Sequence, residues 1–257
     1  MNPEPLVTIV TPALNAARYL EENIASVEAQ SYPRLEHIVV DGGSADGTLE
    51  ILQRNPHVHW ISEPDAGQSD ALNKGLGLAK GEVIGWLNAD DYYLPDAVAS
   101  AVRRLLAHPT AGVVYADALL VDHAGQELSR LRSEPFDLER ALDFGNVVPQ
   151  PAAFIRRSVL DNVGGLDTRY HYAMDFDLWL RIAKVAPLTY VDEQWAAFRI
   201  HRQSKTGSAL KAMWREERSV ARAHGGQRFS TMFRRHLRDN YRPRAVASRL
   251  RRSVRRS

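Results

Sequence analysis

The sequence predicts a doubly wound α/β fold, an open and mostly parallel sheet with helices on both faces. Three observations predict it: short apolar β-branched runs recur between residues 6 and 87, helical periodicity fills the gaps between them, and each run stops at a polar, turn-forming loop. Apolar runs of this length, uninterrupted by alternating polar residues, are characteristic of strands covered on both faces. Their alternation with helices is the signature of parallel β-α-β units.

The first strand is Leu6-Val7-Thr8-Ile9-Val10, ending at Thr11-Pro12. Arg18 to Ala29 follows as a helix, with Leu20, Ile24 and Val27 on one face. His37-Ile38-Val39-Val40 is the second strand and ends at Asp41-Gly42-Gly43. A helix from Thr48 to Gln53 leads to a third strand, Val58-His59-Trp60-Ile61. The helix Gln68 to Ala79 then precedes a fourth, Glu82-Val83-Ile84-Gly85-Trp86-Leu87. In such sheets ligands bind beyond the carboxyl ends of the strands. That rule selects residues 11–15, 41–48, 63–70 and 88–91 before any chemistry is considered. Beyond Asp91 the pattern predicts a helix from Pro95 to Ala107 and a strand at Gly112–Tyr115. A loop-rich region from about 117 to 155 and a helix from Asp175 to Val185 follow. The expected division is a first half over about 1–115 and a second over about 116–208, together one domain (1–208), followed by a helical, arginine-rich extension (209–257).

Composition narrows the function classes. With 44% hydrophobic and 25% charged residues the chain is of ordinary globular type. It has no cysteine, which excludes disulfides, thiolate nucleophiles and cysteine-bound zinc. No stretch reaches the roughly 20 apolar residues of a membrane span, and the first residues lack the basic start of a secretory signal. The expected location is cytoplasmic. The net charge of +2 conceals an asymmetry: residues 228–257 carry eleven arginines against Asp239 alone, a balance of +10, and the residues before them sum to −8.

Five loops carry candidate chemistry. Asn88-Ala89-Asp90-Asp91 closes a buried strand, and adjacent carboxylates there repel unless a cation or hydrogen bonds compensate. Such oxygen ligands suit Mg²⁺ or Mn²⁺ shared with substrate phosphates; a surface turn capping the next helix would use the same residues. In Asp41-Gly42-Gly43-Ser44-Ala45-Asp46-Gly47-Thr48, glycines permit close backbone approach and Asp41 can accept hydrogen bonds from a ribose or base, although a tight turn would also use them. Glu63 to Asp70 converges on a helix start, with Lys74 one turn after Asp70. In Asp175-Phe176-Asp177-Leu178-Trp179-Leu180-Arg181, one aspartate can cap the helix and the other face a cleft as a proton acceptor. Alternation in Arg199-Ile200-His201 places a cation and an imidazole on one strand face, suited to a diphosphate or a metal.

Together these stretches resemble the inverting glycosyltransferases of family 2. The matching segments are residues 7–15, 40–48, 65–75, 85–91, Gln150-Pro151-Ala152-Ala153-Phe154, 175–179 and Phe198-Arg199-Ile200-His201. They run in the family's order over about residues 6 to 206. The resemblance implies the GT-A fold, Rossmann-like and mostly parallel, a catalytic domain over 1–208 whose nucleotide-sugar-binding half spans about 1–115 and whose acceptor-side half spans about 116–208. It implies a nucleoside-diphosphate-sugar donor held by Thr11, Pro12, Asn15, Asp41, Gln68, Asp70, Lys74, Asn88 and Asp90. Asn88-Ala89-Asp90 stands where the family has Asp-X-Asp, so Asp90 and Asp91 compete for the metal (Mn²⁺ or Mg²⁺), with His201 beside it. Asp175 matches the family's general base, preceded here by Met174 where the family often has glutamate.

The implied reaction is transfer of a sugar to an acceptor hydroxyl of a glycan or lipid-linked acceptor, in polysaccharide or glycolipid assembly. A catalytically silent nucleotide-sugar-binding module of the same fold is the alternative. The first loop lacks the G-x-G-x-x-G of a dinucleotide enzyme, and the chain has no P-loop. In the tail, Phe229, Met232, Phe233 and Leu237, then Val246, Leu250 and Val254, recur at helical spacing. Such a basic amphipathic segment is expected to meet an anionic membrane surface at the inner membrane face rather than nucleic acid.

Overall fold

The computed structural model describes residues 4–201, 204–205, 209–227 and 231. Four strands and three helices make up the first part: β1 (Val7–Ala13), α1 (Leu20–Glu28), β2 (Leu35–Asp41), α2 (Thr48–Arg54), β3 (His59–Ser62), α3 (Gln68–Leu78) and β4 (Val83–Trp86). After them come β5 (Tyr92–Tyr93), α4 (Ala97–Ala107), β6 (Val113–Val121), β7 (Glu127–Leu131) and α5 (Leu138–Phe144). A 3₁₀ turn at Gln150–Ala152 leads into β8 (Ala153–Arg156), α6 (Arg157–Val163), α7 (Met174–Ala183), β9 (Leu188–Arg199) and α8 (Leu210–Ala223).

Among the described residues these strands form one nine-stranded sheet, in the order β3-β2-β1-β4-β8-β6-β9-β5, with β7 paired to β6. The pairs β3–β2, β2–β1 and β1–β4 are parallel, as is the long β6–β9 pair, whereas β8 joins β4 and β6 antiparallel. Alternation along the strands divides the core between the two faces. Val7, Ile9 and Val83 pack with α4 residues Val98, Ala101 and Leu105. On the other face Ile38, Val40 and Ile84 pack with Ala71 of α3 and with Leu178 and Trp179 of α7. Both faces of β1 are therefore covered, and every residue of the strand is buried. Burying side chains of this size contributes roughly 1.5–3 kcal/mol each.

The structure departs from the sequence reading in three places. β3 is the sheet's outer strand, and His59, Trp60 and Ser62 are exposed rather than buried. The region 117–155 is not loop-rich: it holds most of β6, all of β7 and α5, and the start of β8. β7 reads Glu-Leu-Ser-Arg-Leu because it is an edge strand pairing β6 alone, so no two-faced apolar run marks it. Third, β9 ends at Arg199, so His201 lies just beyond the strand. β6 crosses the expected seam near residue 115, and α8 packs on the body, burying Val220 and Ala221 with Ala141, Phe176 and Leu180. Apart from Thr231, the arginine-rich tail lies outside the described residues, within which no helix is long and apolar enough to cross a membrane.

Candidate active site

The carboxyl ends of β1 and β4, the start of α7 and the segment after β9 surround a cavity of about 520 Å³. Among the expected residues, its wall holds Pro12, Asn15, Gln68, Asn88, Asp90, Asp175, Arg199 and His201. β1 and β4 are adjacent parallel strands, so the loops that follow them open side by side, as strand polarity requires.

Asn88 is the junction of this wall. Its Oδ1 accepts from Trp86 Nε1 at 2.8 Å and Gln68 Nε2 at 2.6 Å. Its Nδ2 donates to Asp91 Oδ2 at 3.1 Å and Gln150 Oε1 at 3.0 Å. Two acceptor and two donor contacts call for an amide. A carboxylate at this position would meet the Asp91 carboxylate instead of donating to it, which explains asparagine where the family pattern has an acid.

Asp90 and Asp91 part company. The Asp90 side chain faces the cavity, and its Oδ2 lies 2.9 Å from His201 Nε2. Asp91 is 2% exposed and turns inward, where its Oδ1 accepts the Arg199 backbone N–H at 2.8 Å and its Oδ2 the Asn88 amide. Burial, with the neighbouring Asp90 charge second, holds its carboxyl well above the usual range. Asp91, expected as a metal ligand, is therefore a buried anchor of the strand-end turn.

Four other expected binding residues sit behind the wall. Thr11 Oγ1 lies 2.9 Å from His37 Nε2, buried between β1 and β2. Asp41 is fully buried; its Oδ2 accepts the N–H groups of Gly43 and Ser44 and the Ser62 hydroxyl, and its Oδ1 the Ser44 hydroxyl. It shapes the 41–48 loop from within. Asp70 accepts from Ala66 N at 3.0 Å, and Lys74 Nζ reaches Glu63 at 2.8 Å and the Pro64 carbonyl at 2.9 Å. Both brace the 63–70 loop. Asn15 belongs to the wall and ties two loops together. It adopts a left-handed φ of 51°, with its N–H on Ser44 Oγ and its Oδ1 accepting from Ala45 N. Asparagine is among the few non-glycine residues that take this conformation readily.

Asp175 is the second residue of α7 and stands half-buried in the wall. Burial raises its carboxyl to about 6, against the opposing hydrogen bond from Asn146 Nδ2 to its Oδ2 at 2.8 Å. Arg199, by contrast, is 2% exposed. Its guanidinium bonds Glu22 and the carbonyls of Asp90 and Asp122, so the cation expected to meet a diphosphate is a keystone of the fold. Sequence reasoning passed over Arg18, Asn146, Gln150 and Lys205. Only Gln150 lay in a matching stretch; the others belong to no period or motif, and their place in the wall comes from tertiary contacts.

Solved structures share this architecture. A 1–349 fragment of S. aureus TarS in complex with UDP-GlcNAc matches with a TM-score of 0.68 at 17% identity, over 92% of this chain and 73% of that one. The mannosyltransferase PcManGT from Pyrobaculum calidifontis, in complex with GDP-Man and Mn²⁺, matches with a TM-score of 0.64 at 22% identity, over 97% and 73%. The fold defined by these likenesses is that of the GT-A glycosyltransferases.

Residues 8–164 match the family model for Glycosyl transferase family 2, and the chain belongs to that family. An uncharacterized glycosyltransferase of Mycobacterium tuberculosis is 36% identical over 197 residues, spanning 74% of this chain and 73% of that protein. The hyaluronan synthase of Pasteurella multocida is 29% identical over 197 residues, 75% of this chain but 20% of that much longer protein.

Proposed function

We propose that this chain is a metal-dependent, inverting glycosyltransferase that moves a sugar from a nucleoside-diphosphate sugar to an acceptor hydroxyl. One observation carries the reading. A single cavity has the Asp90–His201 pair on its wall and also a carboxylate of raised basicity, Asp175. The first suits a diphosphate with its cation, the second a hydroxyl proton.

The donor set fits Mn²⁺ or Mg²⁺. One carboxylate and one imidazole converge, and among the described residues no group of three or more His, Asp or Glu could hold an ion alone. That is the arrangement for an ion completed by substrate phosphates and water. When bound, such an ion neutralises the charge that develops on the departing diphosphate. The chain's own share is to hold the donor and to move a proton. Pro12 and Asn15 border the donor, and Asn88 and Gln68 fix the wall between them. Asp175 takes the acceptor's hydroxyl proton as that oxygen bonds the anomeric carbon and the carbon–phosphate-oxygen bond breaks. One in-line displacement inverts the anomeric configuration. Polysaccharide or glycolipid assembly is the setting suggested by the hyaluronan synthase relative.

The test is release of nucleoside diphosphate from a panel of UDP- and GDP-sugars. Chelation of the metal, or Asp90→Asn, is expected to lower turnover roughly 10²–10³-fold, the usual loss when one group stabilising transition-state charge is removed. Turnover indifferent to EDTA would reject the metal. Tight binding of a nucleotide sugar without any turnover would favour a silent binding module.

The basic tail extends the reading to location: residues 228–257 dock the enzyme on an anionic membrane surface at the cytoplasmic face, where a lipid-linked acceptor would be presented. The full chain is expected to co-sediment with anionic liposomes at low salt and to be released at high salt. Equal binding after deletion of 228–257 would rule this out.

A further inference from the structure

α7 begins after Ala173, whose side chain makes no capping bond. The segment that leads into the helix is held from α8 instead. Glu216 Oε2 accepts from the backbone N of His171 at 3.0 Å, Tyr172 at 2.5 Å and Ala173 at 2.7 Å, while its Oε1 also lies 3.0 Å from His171 N. A carboxylate at this end is favoured by the helix dipole. Lys205 grips the same segment through its other edge: Nζ donates to the His171 carbonyl and to Gln68 Oε1, both at 2.6 Å. Gln68 in turn bonds Asn88. Segment 171–173 is thus held by its N–H groups on one side and a carbonyl on the other, two residues before Asp175.

α8 also holds α7 just past that residue. His224 Nε2 lies 2.8 Å from Asp177 Oδ1, and Asp177 Oδ2 accepts from Arg181 Nε at 2.8 Å. Between these ends Val220 and Ala221 are buried against Ala173, Phe176 and Leu180. Met213 and Glu217 of α8 line the same cavity as Asp175. The approach to α7 thus depends on a carboxylate 43 residues downstream of Ala173.

We propose that Glu216 is a positioning residue for Asp175, with Lys205 as its second arm, so that α8 belongs to the catalytic unit rather than to an appended tail. The inference rests on Asp175 being the base. Without Glu216, several N–H groups lose their acceptor, the start of α7 frays, and the Asp175 carboxylate loses its aim at the acceptor oxygen. Donor contacts made by Pro12, Asn15, Asn88 and Asp90 lie on other elements and are left in place.

The experiment compares full-length wild type, Glu216→Ala, Glu216→Gln, Lys205→Met, Asp175→Asn and an outer-face control, Arg215→Ala. Turnover of UDP-GlcNAc, UDP-glucose and GDP-mannose with Mn²⁺ is read as nucleoside diphosphate release, together with amide hydrogen exchange. Glu216→Ala is expected to lose roughly 10- to 100-fold in kcat, the scale of a misplacement of about 1 Å, with donor KM within about 3-fold. Glu216→Gln, which keeps one accepting oxygen, should recover part of the loss, and Lys205→Met should lie between wild type and Glu216→Ala. Exchange at residues 171–173 should quicken in Glu216→Ala while β1 and β4 stay protected. Wild-type kcat in Glu216→Ala, or exchange that rises equally in β1 and β4, would overturn the positioning role. Wild-type turnover in Asp175→Asn would overturn the base assignment itself, a result the exchange data would keep distinct.

Discussion

Asp175→Asn is expected to lower glycosyl transfer roughly 10²–10⁴-fold, the range contributed by a positioned general base, with donor KM changed by only a few-fold. The asparagine keeps the shape of the side chain and one oxygen able to accept from Asn146 Nδ2, so the wall should stay intact. What is lost is the site for the acceptor's proton. Steady-state kinetics with the donor found in the nucleotide-sugar panel will check this, and a variant that retains more than a tenth of wild-type kcat would reject the assignment.

The acidity of Asp175 gives the same prediction a pH axis. Its carboxyl, raised to about 6 chiefly by burial, must be ionised to accept a proton, so kcat/KM of the wild type should fall below about pH 6. For stability the sign is opposite. A carboxyl whose folded-state value lies above its ordinary 3.8 binds its proton more tightly when folded. Its contribution is full below that ordinary value and is lost as pH rises through about 6. At pH 7–8 the wild type therefore carries a destabilising charge on Asp175 that Asp175→Asn removes. The variant should melt at the same temperature or higher while losing activity, a pattern typical of a residue kept for chemistry. A clear drop in melting temperature at pH 8 would contradict it.

The parts of this architecture legible in the sequence are those with a local signature. Val7 to Val10 and His37 to Val40 are short, mostly apolar runs because helices cover both faces, and that pattern also places the loops at the strand ends. The parts that were not legible depend on contacts between distant segments. Asp90 and Asp91 are chemically identical and adjacent; what separates them is the Arg199 backbone N–H, 108 residues away, which draws Asp91 inward. Asp41 and Thr11 have the right chemistry in the right loops, but Ser44, Ser62 and His37 engage their oxygens. Lys205 reaches Gln68 across 137 residues, and no period or turn rule connects them. β7 and β8 escaped notice for another reason: a polar edge strand and a four-residue strand carry too few side chains to show a period.

Arg199 shows how such a distant contact carries stability. Its guanidinium bonds Glu22 of α1, the Asp90 carbonyl at 2.9 Å and the Asp122 carbonyl at 3.1 Å, and it stacks near Tyr19 and Tyr92 at 4.8 and 5.5 Å. One side chain thereby joins helix α1, the strand-end turn bearing Asp90, and the β6–β7 hairpin. Arg199→Met keeps much of the volume but leaves two carbonyls and a carboxylate without their donor. Glu22 is half exposed and water can solvate it, so the cost falls on the two carbonyls left without a donor, about 1–3 kcal/mol each. Together that is a large fraction of the stability of a domain near the lower end of the ordinary 5–15 kcal/mol range. Urea unfolding should show a lower midpoint with little change in slope. Arg199→Lys should not rescue it, because a single ammonium lacks the planar fork that meets separated acceptors while stacking on rings. A lysine variant within about 1 kcal/mol of wild type would show that charge alone suffices. The expected failure of lysine would instead place the requirement in the fork, and Asp90, whose carbonyl hangs on it, should then lose metal-dependent turnover even where the variant remains folded.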